Sequence, residues 1–439
     1  MTTFVGDVGD SADRTQISKD GEVGGMKKLL VCLLLGSMVG LAQDVAPVKH
    51  EANALNSKRA RKAHYVVMVS LDGFRWDYAE KWGAPHLLAM AKAGASAPEG
   101  MLPSYPSLTF PNHYTMVTGL YPEHHGIVDN AFLDPARNDA EYYYKDHAKN
   151  SDGSWYGGIP LWSLAEQQGM RSASMYWVGS EAEIAGKRPS YWVPFDDNFD
   201  DEKRITQVMQ WLGLPEAERP HMITLYYSNV DHAGHTYGPD APETGAAVKH
   251  VDALIGELQE RIKASGLPVD LIVVSDHGMI AFKDRNFVAL DKMVDLQGVP
   301  EVGDHLYPKT EAEKEKIYEE LKVKDDPRFA VYRLKDVPAQ LHYDGNAREG
   351  DPVVEPLEAV PVTVHANSAE TRSKGDHGWD PRLVPDMKAI FYAEGPDVKP
   401  GVKVGTFEKV DLYDFVAGLL GLKVGKNDGD KKVLEGVRR

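Results

Sequence analysis

The run Tyr65-Val66-Val67-Met68-Val69-Ser70-Leu71 is unbroken, rich in β-branched residues, and stops at Asp72-Gly73. A run without polar alternation is the pattern of a strand buried on both faces. Similar runs recur at 172–177, 222–227, 271–275 and 389–392, with helical stretches between them. One helix is expected over 85–95. The clearest is expected over 243–264, where Ala247, Val251, Leu254, Ile255, Leu258 and Ile262 share a face. Strands alternating with helices predict a largely parallel sheet covered on both sides.

In such sheets, ligands bind beyond the carboxyl ends of the strands. Asp72 follows the first strand, Asp231 lies a few residues past the third, and Asp276-His277 follows the fourth. A single Asp after a strand is better read as a helix cap or turn residue. Three on one edge, with His277 beside one and His235 four residues beyond another, reverse that preference. Imidazole nitrogen and carboxylate oxygen form the ligand set that suits zinc. Asp231 and His235 can face one side across a turn or short helix, and Gly234 with Gly238-Pro239 favours a tight loop bringing both to one ion. His377, in Gly375-Asp376-His377-Gly378, sits where glycines let the backbone approach a site closely. His232, His113 and His124 are assigned structural or supporting places.

Between the first two acidic segments lies Pro106-Ser107-Leu108-Thr109-Phe110-Pro111-Asn112-His113. A helix over 112–118 would put Thr109 near its N-terminus, where the dipole favours an alkoxide or a phosphate. Taken alone, Thr109 is a helix cap. Beside a metal pair it becomes an activated nucleophile, and Ser107 competes for that role on residue type alone.

The net charge of −17 argues against a general nucleic-acid surface, which needs a basic face. It also means that a phosphate site must generate its own positive potential, as bound metal ions do. Residues 1–25 are polar and read as an over-extended start. Residues 26–42 combine two lysines, a short apolar run and a small-residue exit, the form of a secretory signal peptide cleaved after Ala42. The apolar run is too short for a membrane span, which takes about 20 residues. Cys32 is the only cysteine, so the mature chain would have none, which points to a periplasmic or secreted protein of bacterial type. Residues 43–63 read as a linker, 64–422 as the catalytic domain with a cap or insert over 286–363 (a helical piece at 311–321), and 423–439 as a flexible tail.

Leu71-Asp72-Gly73, the segment 106–114, Asp231-His232-Ala233-Gly234-His235, Ser275-Asp276-His277-Gly278-Met279 and Gly375-Asp376-His377-Gly378 occur in this order. Together they resemble the nucleotide pyrophosphatase/phosphodiesterases of the alkaline phosphatase superfamily, in their compact bacterial form. The resemblance runs from about residue 65 to 420. It implies an alkaline-phosphatase-like three-layer α/β/α sandwich and two Zn2+ ions. Asp72, Thr109, Asp276 and His277 would hold one ion, and Asp231, His235 and His377 the other. Thr109 would be the nucleophile and pass through a phospho-threonine intermediate. Asn130 would donate to a phosphoryl oxygen, and Phe110 and Tyr191 would flank a nucleobase. Trp177-Val178-Gly179-Ser180 departs from the family's Trp-Pro-Gly-Ser.

The expected function is hydrolysis of nucleotide phosphodiester or pyrophosphate bonds, releasing a nucleoside 5′-monophosphate. The expected partner is therefore a nucleotide-like diester, not a polymeric nucleic acid. Alternatives are a related phosphomonoesterase, a phosphodiesterase of choline-containing lipids, and a catalytically silent metal-binding protein.

Overall fold

The computed structural model describes residues 46–281, 287–365 and 373–439; the proposed leader, 26–42, and the segment before it lie outside these. A nine-stranded sheet forms the centre. Its strands are β1 (Lys49–His50), β2 (Tyr65–Leu71), β3 (Ala95–Ser96), β4 (Ser172–Met175), β5 (Tyr191–Val193), β6 (Met222–Tyr227), β7 (Val269–Val274), β8 (Phe391–Glu394) and β9 (Val402–Lys403). They lie in the order β1-β5-β4-β6-β2-β7-β8-β3-β9. The block from β5 to β7 is parallel, and β1 and β8 run antiparallel to their neighbours in it.

Every residue of β2 is buried, as its apolar run predicts. Val66 and Met68 enter one apolar cluster, and Val67, Val69 and Leu71 enter the other. This is the two-residue period of a strand covered on both faces. On the second face pack α1 (Tyr78–Trp82), α2 (Pro85–Ala93), α5 (Asp201–Leu212) and α7 (Pro242–Ser265). On the first pack α3 (Thr109–Thr118), α4 (Leu161–Gln167) and α9 (Leu412–Leu419). α6 (Asn229–Tyr237) follows β6 directly. The architecture is the alkaline-phosphatase-like α/β/α sandwich, with most of the sheet parallel. The insert has its own apolar cluster, in which Val288, Leu306, Ile317, Leu321 and Phe329 pack around α8 (Glu311–Lys322). α8 opens on a capping box between Thr310 and Glu313.

Two segments differ from expectation. The tail over 423–439 is not frayed. Leu434 and Val437 are each 1% exposed within the main core, and Arg438 bridges to Val398. Its Lys, Gly and Asp content masked two well-spaced apolar anchors. The 43–63 segment is likewise more than a linker. Lys49–His50 adds an edge strand to β5, and buried Asn56 donates to the Glu216 and Arg219 carbonyls while accepting from the Arg171 N–H. Polar residues that satisfy backbone groups look the same in sequence as polar residues in water. Replacing Leu434 by Ala should cost about 2–5 kcal/mol in denaturant unfolding, the range for a filled core site. A loss under about 0.5 kcal/mol, typical of an exposed position, would restore the frayed reading.

Candidate active site

β6, β2 and β7 are adjacent and parallel, so their ends deliver Asp231, Asp72 and Asp276 to one edge. Gly73 closes the gap between two of them. Its φ is +67°, and a Cβ there would come within 2.8 Å of the Asp231 Cα. Only glycine adopts that backbone and allows the approach without strain.

Asp72 and Asp276 are each tied at one oxygen and bare at the other. Asp276 Oδ1 accepts the Gly73 and His277 N–H groups at 3.1 and 2.9 Å, while Oδ2 has no hydrogen-bond partner. Asp72 Oδ2 accepts the Tyr226 hydroxyl at 2.6 Å, and Oδ1 is left without one. Asp231 Oδ1 is unbonded too, lying 3.3 Å from His235 Nε2 and 3.7 Å from His377 Nε2.

The imidazoles are held in the complementary way. The Nδ1 of His235, His277 and His377 lies 2.8–2.9 Å from the carbonyls of Gly375, Gly278 and Ser107 respectively. A carbonyl only accepts, so each Nδ1 carries a proton and each ring turns its Nε2 toward the site. Metal-bound histidines are oriented by this kind of bond. His277 Nε2 is 3.0 Å from Asp276 Oδ2 and 3.5 Å from Asp72 Oδ1. His277 and His377 stack at 3.5 Å, so the two groups of ligands adjoin.

Burial pushes the Asp72 carboxyl well above its ordinary range, and the charges of Asp276 and Asp231 add to this. Burial would raise Asp276 as well, but the imidazoles of His277 and His113 hold it well below. Burial and the neighbouring His277 lower His377 to about 3. At His235 burial opposes the charged form, yet Asp231 raises its pKa to about 9. Bare, crowded carboxylates of this kind are stabilised by cations. Ligand atoms of Asp72, Asp276 and His277 lie within 4.8 Å of one another, as do those of Asp231, His277 and His377. The donor set fits two adjoining divalent ions.

Asp231 and His235 reach this site from successive turns of α6, not from a tight loop. Gly234 packs closely there, since a Cβ would meet the end of the Met279 side chain at 2.9 Å. Thr109 is the first residue of α3, and its hydroxyl makes no capping bond; it lies 3.2 Å from His277 Nε2. Ser107 is fully buried, donating to the Trp379 carbonyl and accepting from the Gly378 N–H, and so is structural. Asn130 Oδ1 accepts the Phe110 N–H at 2.9 Å, which leaves its amide N–H groups for another acceptor. His113 bridges the Thr109 carbonyl and Ser70 Oγ, while His124 and His232 lie at the surface beside Asp428 and Asp197. Trp177 donates to the His113 carbonyl, and Val178 packs on the same core without disturbing it.

Tyr191 does not face Phe110. It belongs to the cluster on the other face of the sheet, its hydroxyl donates to the Glu218 carbonyl, and its ring packs on His50 and Arg171. Phe110 instead meets Tyr142 and Tyr144 edge-on. Phe195, 52% exposed, packs edge-on against Tyr226, whose hydroxyl holds Asp72. Three contributors escaped the sequence reading. Tyr226 ends a strand as ordinary β-sheet filler would. Asp376 brings a carboxylate oxygen within 4.8 Å of ring nitrogens of His235 and His377, and in sequence it stands in the shadow of the adjacent imidazole. Lys409 lies far along the chain.

Lys409 is 1% exposed, and its Nζ donates to the Asp276 carbonyl and to Asn112 Oδ1. Asn112 in turn donates to the carbonyls of Ser104, Pro106 and Leu108, the loop that leads to Thr109. Burial lowers Lys409 to about 7, against the pull of Asp276 and Asp72. Lys409 thus links the loop that leads to Thr109 to the strand end that carries Asp276. A Lys409→Met variant should keep its Tm and lose roughly ten- to hundredfold in kcat at unchanged KM, because the link sets geometry. A loss of Tm with kcat intact would make Lys409 a packing residue only.

Residues 66–380 match the family described as Type I phosphodiesterase / nucleotide pyrophosphatase. An uncharacterized pyrophosphatase/phosphodiesterase of Schizosaccharomyces pombe is 35% identical over 389 residues, covering 83% of this chain and 78% of that protein. Human ectonucleotide pyrophosphatase/phosphodiesterase family member 1 is 34% identical over 383 residues; the match covers 83% of this chain and 40% of the human protein. In structure, an inactive variant of murine ectonucleotide pyrophosphatase/phosphodiesterase 5 in complex with AMP superposes with a TM-score of 0.79 at 29% identity, over 86% of this chain and 100% of that one. The chain belongs to the type I phosphodiesterase/nucleotide pyrophosphatase family, hydrolases of the alkaline phosphatase superfamily.

Proposed function

We propose that the chain cleaves phosphodiester or pyrophosphate bonds of nucleotides and releases nucleoside 5′-monophosphates. The observation that carries this is the convergence of carboxylate oxygens without hydrogen-bond partners and imidazole Nε2 atoms beside the Thr109 hydroxyl. AMP bound to the murine neighbour supports a nucleotide substrate. Asp72, Asp276, His277 and Thr109 are assigned to one zinc ion, and Asp231, His235 and His377 to the other. When bound, the ions supply a lowered hydroxyl pKa and offset phosphoryl charge.

Thr109 Oγ1 gives up its proton to solvent and attacks phosphorus as the bond to the leaving oxygen breaks; that oxygen takes a proton from water, and a second water then cleaves the phospho-threonine diester, returning the Thr109 hydroxyl and a nucleoside 5′-monophosphate. Asn130, held through its own oxygen, donates its amide N–H to a nonbridging phosphoryl oxygen, a contact of about 3 kcal/mol in comparable preorganised sites. Phe110 flanks the base, and Phe195 takes the place first assigned to Tyr191. The segment over 26–42 exports the protein to the periplasm or beyond.

Thr109→Ala should retain its metal and lose kcat by a factor on the order of a thousand or more, as for other nucleophile removals. Activity near wild type in that variant would remove Thr109 from the mechanism. Wild-type kcat/KM should favour a nitrophenyl nucleotide diester over nitrophenyl phosphate. A preference for the monoester, or for a nitrophenyl phosphocholine diester, would contradict the nucleotide-diesterase reading.

A further inference from the structure

At the opposite end of the sheet from Thr109, three titratable side chains converge from three elements. His64 directly precedes β2, Asp270 is the second residue of β7, and Asp397 follows β8. One ligand atom from each lies within 4.8 Å of the other two. Asp397 Oδ2 is 2.7 Å from His64 Nδ1. Asp270 is 0% exposed, and its Oδ1 accepts the Asp397 N–H at 3.0 Å. Its Oδ2 is buried with no hydrogen-bond partner.

The backbone is shaped around this carboxylate. Gly395 has φ +149°, and a Cβ there would lie 2.3 Å from Asp270 Oδ1. Only glycine lets the loop after β8 descend onto the acid. The Arg439 N–H donates to the Asp397 carbonyl at 2.8 Å, which ties the chain end to the same loop. The side chains of His64 and Asp397 are 37% and 38% exposed, so one side of the triad meets water.

A buried carboxylate oxygen without a partner is unfavourable unless a proton or a cation neutralises it. Burial raises the Asp270 carboxyl to about 6. None of the three residues belongs to the Thr109 centre. We propose that His64, Asp270 and Asp397 form a separate divalent-cation site, with water completing the coordination. One imidazole and two carboxylates suit zinc or a similar first-row ion. The ion would staple the starts of β2 and β7 to the loop after β8 and, through it, to the C-terminal residues.

The test is zinc content per chain, measured by plasma mass spectrometry on full-length protein from zinc-supplemented cultures after gel filtration. Asp270→Asn keeps the acceptor for the Asp397 N–H, and His64→Gln changes a half-exposed side chain, so at least one variant folds. Each should carry one zinc equivalent fewer than wild type, with kcat/KM on a nucleotide diester unchanged. Equal zinc in wild type and both variants overturns the site and leaves a proton-sharing triad. His235→Ala, measured in parallel, should lose zinc and activity together. A failure of the Thr109 centre to hold zinc would lower every total and leave the Asp270 difference intact.

Discussion

Each carboxylate at the strand ends has two oxygens, and Asp72 and Asp276 each have one of them tied down. The Tyr226 hydroxyl holds Asp72, and two backbone N–H groups hold Asp276. Carbonyls hold the three imidazoles at Nδ1 by the same logic. What remains, carboxylate oxygens without hydrogen-bond partners and the three Nε2 atoms, gathers beside Thr109. The proposed role of Thr109 takes its meaning from this arrangement. Without it, Thr109 is one more residue in the first turn of a helix.

The arrangement is a consequence of topology. Three adjacent parallel strands end together, and the carboxylates that follow them are brought into contact that water would not permit. The fold offsets this with buried groups from distant segments. Lys409, three hundred residues from Thr109, reaches the backbone carbonyl of Asp276. Gly73 lets two acidic segments approach to a distance that any other residue would obstruct. The relatives place the chain in a phosphodiesterase family, and the proposed pair of cations follows from which atoms the fold leaves unbonded.

Much of this was legible in the sequence because it rests on local pattern. An apolar run that ends in a carboxylate marks both the strand and its functional end, so the edge and its acids could be read directly. Long-range choices were not legible. Tyr191 stands beside a Trp in an aromatic-rich stretch, and nothing local says that it faces the opposite side of the sheet from Phe110. Tyr226 and Lys409 look like strand filler and a surface charge until the partners that bury them are known. The C-terminal anchors Leu434 and Val437 were hidden by the polar residues around them. In each case the deciding contact lies far away along the chain.

Diffraction data collected at the zinc absorption edge, from crystals of zinc-loaded protein, test the central claim most directly. The two-ion reading predicts two anomalous peaks beside Thr109, one in reach of Asp72, Asp276 and His277 and the other in reach of Asp231, His235 and His377. A single peak at that edge of the sheet, or none, would contradict it.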